Sequence, residues 1–111
     1  MSSEVLEKLA ICGKIDGNMK QSIKLLHVFD EYDKNGKNFE TNALFVTNDD
    51  LVYGLGRNLW GCLGLGHNSA VDSPKLIPEL CHKNIQYFVK GMRFVLAVNA
   101  ENHIYSWGQN A

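Results

Sequence analysis

The chain repeats itself, and this internal repeat constrains the fold more than any other feature of the sequence. Residues 43–58, ALFVTNDDLVYGLGRN, align with residues 95–110, VLAVNAENHIYSWGQN, which lie 52 positions later. Five of the sixteen aligned positions are identical: Leu44/Leu96, Val46/Val98, Tyr53/Tyr105, Gly56/Gly108 and Asn58/Asn110. The match extends upstream, because Ile23 and Leu26 pair with Ile85 and Phe88 if the first copy carries a loop ten residues longer. A period near fifty residues indicates a structural unit that stacks on copies of itself.

Both copies consist of short runs of β-branched and aromatic residues separated by Gly, Asn and Asp. The runs are residues 22–29, 42–48, 51–56, 74–80, 84–90, 93–99 and 103–109. Short strands at this spacing indicate an all-β protein, and about four strands per period of fifty residues is typical of a propeller blade. We therefore predict an incomplete β-propeller of about one and a half to two blades of antiparallel strands. It occupies residues 20–111, with repeat copies at about 22–80 and 84–111.

The N-terminal segment, residues 1–19, has a different pattern and is predicted to contain a short α-helix over residues 2–11. Ser2 or Ser3 can cap this helix, and Glu4 and Lys8 form a favourable pair four positions apart. Gly13 is expected to end it. A helix packed on its own domain is favoured over a helix that binds a partner.

The stretch VYGLGRNLWGCLGLG at residues 52–66 contains five of the ten glycines, which raises the question of phosphate binding. A Walker-type loop needs a lysine followed by Ser or Thr after its glycines, and none stands in that register. A dinucleotide fingerprint needs a third glycine at position 59, where this chain has Leu59. We interpret the glycines as structural residues that permit positive φ and close backbone approach, and we predict no cofactor.

A second ligand-binding pattern, EYDKNGKNFETN at residues 31–42, is incomplete. It places Glu31, Asp33 and Asn35 at the first three ligand positions of a calcium loop, with Gly36 at the required sixth position. The twelfth position needs a bidentate glutamate and holds Asn42, and the flanking residues have strand patterns rather than helical ones. We therefore predict an exposed connecting loop and no metal site.

Cysteines and tryptophans give no sign of catalysis. Cys12, Cys62 and Cys81 are widely spaced with no CxxC pair, which favours neutral thiols in a reducing compartment. No serine lies in a G-x-S-x-G elbow and no Cys/His pair has a supporting context, so we predict that the chain is not an enzyme. Trp60 and Trp107 are interpreted as packing residues. For Trp60, which lies in a loop, exposed contact with a partner is the alternative.

The charge distribution limits the classes of partner. The formal net charge is −1, with six lysines against nine acids in residues 1–50 and five basic residues against three acids in residues 51–111. Neither half has a basic block, so this segment is not expected to bind nucleic acid. No apolar stretch is long enough for a signal peptide or a membrane span. We expect a soluble protein in the cytoplasm, with the nucleus as the alternative.

With these motifs in view, residues 20–111 resemble the regulator of chromosome condensation repeat family. That family alternates a Val-Tyr-x-Trp-Gly-x-Asn strand end with a Gly-Gln-Leu-Gly-x-Gly loop. Here the strand ends are residues 52–58 (VYGLGRN) and 104–110 (IYSWGQN), and the loop is residues 61–66 (GCLGLG). Leu55, Cys62 and Phe94 depart from the Trp, Gln and His that are usual in the family. The loop and the acidic turn at residues 48–50 are most similar to the branch that also carries a BTB domain.

The resemblance implies a set of residues that shape the repeat rather than bind a ligand. They are Gly56, Asn58, Gly61, Leu63, Gly64, Gly66, Pro74, Gly91, Tyr105, Trp107, Gly108 and Asn110. The family closes seven blades into a ring, so the resemblance also implies that this chain is the N-terminal fragment of a longer protein containing the remaining blades. Standing alone, its exposed sheet faces are expected to associate.

Two functions follow from the resemblance. The first is a protein–protein interaction module, an adaptor that in the BTB branch presents proteins to a cullin-type ubiquitin ligase. The alternative is guanine-nucleotide exchange on a Ran-like small GTPase, the activity of the founding member. The founding member has a basic tail, whereas the N-terminus here is near neutral, which favours the adaptor. The sequence does not identify the protein partner.

Overall fold

A computed structural model describes residues 10–32, 35–36 and 39–108. Residues 10–12 are helical, and a five-residue helix α1 spans Gly17–Gln21. The strands are β1 (Ile23–Tyr32), β2 (Phe39–Thr47), β3 (Val52–Gly56), β4 (Val71–Leu76), β5 (Ile85–Lys90), β6 (Phe94–Asn99) and β7 (Ile104–Gly108). A 3₁₀ turn at Pro78–Leu80 follows β4.

These strands form two antiparallel sheets in chain order. The first sheet has the order β1-β2-β3-β4, and the second has the order β5-β6-β7. Consecutive strands pair with their neighbours throughout, as in propeller blades. The prediction of an all-β, incomplete propeller is confirmed.

The register shows that the sequence repeat is also a structural repeat. Leu26 lies opposite Phe45 in the first sheet, and Phe88 lies opposite Ala97 in the second. Since Phe45 and Ala97 are aligned in the sequence repeat, the alignment of Leu26 with Phe88 preserves the strand register. The bulges coincide as well. The register of β1 shifts just after Ile23, and that of β5 shifts just after its counterpart Ile85. The two sheets are therefore copies of one unit down to the irregularities of their first strands.

The two sheets stack face to face, and aromatic rings fill part of the space between them. His27 of β1 stacks on Phe88 of β5 at 5.7 Å between ring centroids, and Phe88 meets the edge of the Trp107 ring at 6.5 Å. Ala97 and Val95 of β6 are fully buried. Since a blade cannot bury both of its faces alone, this contact supplies much of the core of the chain.

Two predicted elements differ from the structure. Residues 74–80 were expected to be one strand, but β4 begins earlier, at Val71, and ends at Leu76. Pro78 has no N–H to donate to a ladder, and it opens the 3₁₀ turn instead. The predicted N-terminal helix lies mostly outside the described residues. Its end is seen at residues 10–12, with a turn at Gly13, and α1 was not predicted as a separate helix.

Candidate functional site at the junction of the two sheets

The glycine-rich loop that follows β3 is held by a buried carboxylate. Glu31, at the end of β1, has no solvent exposure. Its Oε1 accepts hydrogen bonds from Leu59 N at 2.9 Å and from Asn42 Nδ2 at 2.6 Å, and its Oε2 accepts one from Trp60 N at 2.8 Å. The backbone of the loop therefore does enclose an anion, but the anion is a side chain of the same chain.

Asn58 fixes the shape of the same loop from within. Its Oδ1 accepts a hydrogen bond from Leu63 N at 3.0 Å, and its Nδ2 donates to the carbonyl oxygens of His67 and Ser69 at 2.8 and 3.1 Å. Its backbone N–H donates to Asn42 Oδ1 at 2.8 Å. Asn58 is fully buried with a φ of 57°, a conformation that asparagine tolerates better than most residues. Three polar side chains, Glu31, Asn42 and Asn58, thus form one connected network.

The sequence predicts residues 31–42 to be an exposed connecting loop, and this is wrong at both ends, because Glu31 lies in β1, Asn42 lies in β2 and both are fully buried. The structure brings these two residues together as hydrogen-bond partners across β1 and β2. Sequence reasoning missed this role, because neither residue has a counterpart of the same type in the second copy. The available signal was a charged residue two positions after Phe29, on the strand face that also carries Leu25 and His27.

Cys62, which stands in the loop where the resembled family has glutamine, lies fully buried beside this network. Burial, which has the largest effect, acts together with the hydrogen bond to Glu31 and the charge of Glu31 to raise the pKa of the Cys62 thiol from 9.0 to about 12. The Cys62 carbonyl accepts a hydrogen bond from Trp107 Nε1 at 2.7 Å, which ties the loop to the second sheet. Cys62 is therefore a neutral packing residue rather than a nucleophile.

We expect Cys62 to resist alkylation in the folded protein. At pH 8 a pKa of about 12 rather than 9.0 lowers the thiolate fraction about a thousandfold, whereas Cys12 and Cys81 are only half-buried. Iodoacetamide labelling followed by peptide mass spectrometry should modify Cys12 and Cys81 first, and Cys62 only after denaturation. Labelling of Cys62 at the rate of Cys12 in native protein would contradict this expectation.

The same raised pKa predicts a loss of stability in alkali. As the pH rises above 9.0, the unfolded thiol ionises while the folded thiol keeps its proton, so the unfolded state is favoured. Between pH 9 and about 12 the free energy of unfolding should fall by about 1.4 kcal/mol for each pH unit from this group. Urea unfolding of the wild type and Cys62→Ala at pH 8 and pH 10 measures the difference, and an equal decline in both proteins would contradict the assignment.

Next to the network, four side chains form what we call the junction surface: Tyr32, Trp60, Met92 and Arg93. Trp60 Nε1 donates to the Tyr32 carbonyl oxygen at 2.7 Å, and the guanidinium carbon of Arg93 lies 4.2 Å from the centroid of the Trp60 ring. Tyr32 is 51% exposed and Met92 is 83% exposed. A groove of about 600 Å³ opens here between the first sheet and the turn from β5 to β6. Its lining residues are Asp30, Tyr32, Asn35, Gly36, Lys90, Gly91, Met92 and Arg93.

The other residues singled out by the repeat lie in three places. Gly61, Leu63, Gly64 and Gly66 lie in the loop, with Leu63 fully buried and Gly64 directly beneath Trp107. Pro74 lies in the edge strand β4, and Gly91 lies in the β5–β6 turn. Tyr105 and Gly108 lie in β7 with Trp107, and Asn110 is outside the described residues. Positive φ angles occur at Gly56, Gly61, Gly64, Gly66 and Gly108.

The described part of the chain offers no arrangement suited to metal chemistry. It contains no group of three or more His, Cys, Asp or Glu side chains placed to hold a metal ion. Within the same residues, no helix has the length and apolar composition needed to cross a bilayer. The arrangement at the junction surface is suited to contact with another molecule, since aromatic, thioether and guanidinium groups stand together on a hydrogen-bonded loop.

Comparison with known proteins finds similarity to a repeat family. Residues 49–98 match the family model of the regulator of chromosome condensation (RCC1) repeat. The chain is 30% identical over 69 residues to Protein RCC2 of Mus musculus, and the match covers 62% of this chain and 13% of that protein. It is 32% identical over 72 residues to the E3 ubiquitin-protein ligase HERC2 of Homo sapiens, covering 63% of this chain and 2% of the ligase. It is 35% identical over 65 residues to Protein RCC1 of Candida albicans, covering 52% of this chain and 14% of that protein.

A solved structure is also similar to part of this chain. The crystal structure of human WBSCR16 superposes with a TM-score of 0.53 at 31% identity, covering 60% of this chain and 17% of that one. The family model and the relatives together support the RCC1 repeat family for this chain. The matched region spans only a small part of each relative.

Proposed function

We propose that this chain is a protein–protein interaction module and that the junction surface contacts the partner. The observation that carries the proposal is the cluster in which exposed Tyr32 and Met92 stand beside partly buried Trp60 and Arg93. Trp, Tyr, Met and Arg are the residue types enriched in protein interfaces, and Trp, Tyr and Arg supply most binding hot spots.

The support behind this cluster makes it suited to binding. The Trp60 backbone is held by buried Glu31, and its indole is held on one side by the Tyr32 carbonyl and stacked by Arg93 on its face. A surface that is ordered before binding loses little conformational entropy when a partner arrives. Exposed Met92 adds a side chain that adapts to irregular surfaces.

The charges around the groove specify the chemistry of the partner. Lys90 and Arg93 lie on one side, and Asp30 hydrogen-bonds to Thr41 at 3.1 Å on the other. We infer a protein segment that places an apolar side chain against Met92 and Tyr32 and an acidic side chain near Lys90 and Arg93. No catalytic role is assigned to the chain itself.

We further propose that the chain is the N-terminal part of a longer propeller protein that serves as an adaptor, with a BTB domain that reaches a cullin-type ubiquitin ligase. HERC2, to which the chain is similar, is by name a ubiquitin ligase, which supports a link between such repeats and ubiquitin transfer. The far face of the second sheet exposes Ile104 at 65% and Tyr87 at 51%, which supports further blades beyond β7. We place the protein in the cytoplasm, with the nucleus as the alternative.

Nucleotide exchange on a Ran-like GTPase is the second candidate, favoured by the 35% identity to Protein RCC1 of Candida albicans. The native full-length protein, purified from its own cells, separates the two functions. An adaptor should bring a cullin with it and leave nucleotide release from the GTPase unchanged. Accelerated release without a bound cullin would overturn the adaptor proposal in favour of exchange.

The junction surface is tested in the same purification. Met92→Ala and Arg93→Ala together should lower the yield of at least one co-purified protein about tenfold or more, because hot-spot side chains carry most of the binding energy. Cullin binding should not change. The matched control is Lys83→Ala, which changes an exposed residue in the segment that connects β4 to β5. Equal yields from the double variant and the control would rule out this surface.

A further inference from the structure

The two faces of the first sheet are covered by different segments of the chain. On one face, Asn42 and Leu44 of β2 point towards the loop and the second sheet, where the Leu44 side chain approaches Gly54, Leu63 and Ile77. Strand geometry places Thr41, Ala43 and Phe45 on the opposite face. Ala43 and Phe45 have no solvent exposure, so this opposite face, which we call the outer face, is also covered.

Residues 10–21 lie at the edge of this outer face and supply part of its cover. Ile11 and Ile15 are 5% and 3% exposed and belong to the same apolar core as Ala43 and Phe45. Ala10, Ile11 and Lys14 line a cavity together with Thr41, which lies on the outer face. The segment is anchored at its C-terminal end by a hydrogen bond from Asn48 N to the Ser22 carbonyl at 2.7 Å.

The repeat shows what else this outer face fits. In the repeat alignment, the outer face of the first sheet (positions 43, 45, 53 and 55) is equivalent to positions 95, 97, 105 and 107 of the second sheet. Those four positions form the face of the second sheet that packs on the first sheet. The outer face is thus the counterpart of a surface that already binds a sheet. A short segment of two helical pieces covers it instead.

The complementary surface is also present in this chain. The inner face of the first sheet, which meets the second sheet, carries positions 44, 52 and 54. In the repeat alignment these positions are equivalent to Leu96, Ile104 and Ser106, which lie on the far face of the second sheet, turned away from the first. That far face exposes Tyr87, Val89 and Ile104 at 51%, 44% and 65%. The internal contact between the two sheets is therefore the template for a second contact of the same kind, between a far face and an outer face.

We propose that residues 10–21 are a displaceable cap over a docking site for another β-sheet of this repeat type. The cap is weakly built, because α1 has only five residues, no buried residue and no side-chain N-cap. Ile11 and Ile15 supply its buried contacts within the described residues, together with half-buried Cys12 and Met19. A sheet offers a larger apolar face than these side chains and displaces them when it binds.

A second copy of the 111-residue chain is the probe, since its far face carries the required pattern. Ile11→Asp with Ile15→Asp opens the cap, and the pair Lys14→Asp with Lys20→Asp changes exposed residues of the same segment as the control. Sedimentation equilibrium should show the opened chain rising from 12.5 kDa to twice that mass and above, at a concentration at least about tenfold lower than the control, because each head-to-tail contact leaves one far face and one outer face free. Adding Ile104→Lys, which blocks the far face, should return the opened chain to the monomer mass.

Two outcomes would overturn the proposal. The first is an opened chain that remains folded by circular dichroism and keeps the mass of the control at every concentration. The second is an association that Ile104→Lys does not reverse, because the contact then uses another surface. If the aspartate pair does not fold, Ile15→Ala is used in its place and must show the same direction of change with the same reversal.

Discussion

Replacing Glu31 with alanine is expected to lower the free energy of unfolding by about 3 kcal/mol or more, from the donors left unpaired. The substitution removes the acceptor for Leu59 N, Trp60 N and Asn42 Nδ2 at a site with no solvent exposure. Each buried donor without a partner costs about 1–3 kcal/mol. Urea unfolding followed by circular dichroism measures the change, and loss of the folded state is the upper limit of the same effect.

Glu40 provides a matched control for this experiment, because it lies directly opposite Glu31 in the β1–β2 register. Its side chain is 45% exposed, and its Oε1 lies 3.9 Å from Arg57 Nε. Because an exposed ion pair at this distance contributes little, Glu40→Ala should change stability by about 0.5 kcal/mol or less. Glu31→Gln keeps one acceptor oxygen and should fall between the two. Equal losses from Glu31→Ala and Glu40→Ala would contradict the role assigned to the buried network.

The parts of the fold that the sequence predicted are those carried by the repeat. The strand runs in the two copies support one another, and the pairing of Leu26 with Phe88 preserves the register that the structure shows. The ten extra residues of the first copy were predicted to form a loop, and this is wrong in part, because seven of them lengthen β1 and β2 and the connection between the strands is only three residues longer than that between β5 and β6. Local pattern and register agree here because both are set by the same alternation of apolar side chains.

The features that the sequence did not predict occur only once in the chain. Glu31 contacts residues 28 and 29 positions away, and its repeat counterpart is not a carboxylate, so neither spacing nor repetition indicates the contact. β4 was misplaced because Pro78 was included in a strand that ends before it. The cap of residues 10–21 was expected only as a helix packed on the domain, since its place over the outer face depends on a tertiary contact.

Gly56→Ala is the second substitution with a large expected effect, and its cause is steric. Gly56 has a φ of +136°, a conformation that costs a residue with a Cβ about 1–3 kcal/mol. An added Cβ would lie 2.6 Å from the Thr41 carbonyl oxygen and from Asn42 Cα, both of which belong to the backbone of β2. The strand cannot move aside as a side chain can, so β2 and β3 would separate where Asn42 joins Glu31 to Asn58.

Two other glycines separate the steric effect of Gly56→Ala from conformational strain. Gly66 also has a positive φ, +81°, but an added Cβ would meet nothing within 4 Å, so Gly66→Ala should cost only about 1–2 kcal/mol. Gly17 lies in α1 with neither constraint, and Gly17→Ala should be neutral or stabilising by up to about 1 kcal/mol. In urea unfolding, the loss for Gly56→Ala should exceed that for Gly66→Ala by about 2 kcal/mol or more, because backbone overlap adds to strain. If the two losses are equal, the close approach of β2 to Gly56 contributes nothing, and the hydrogen bonds of Asn42 and Glu31 hold the loop without it.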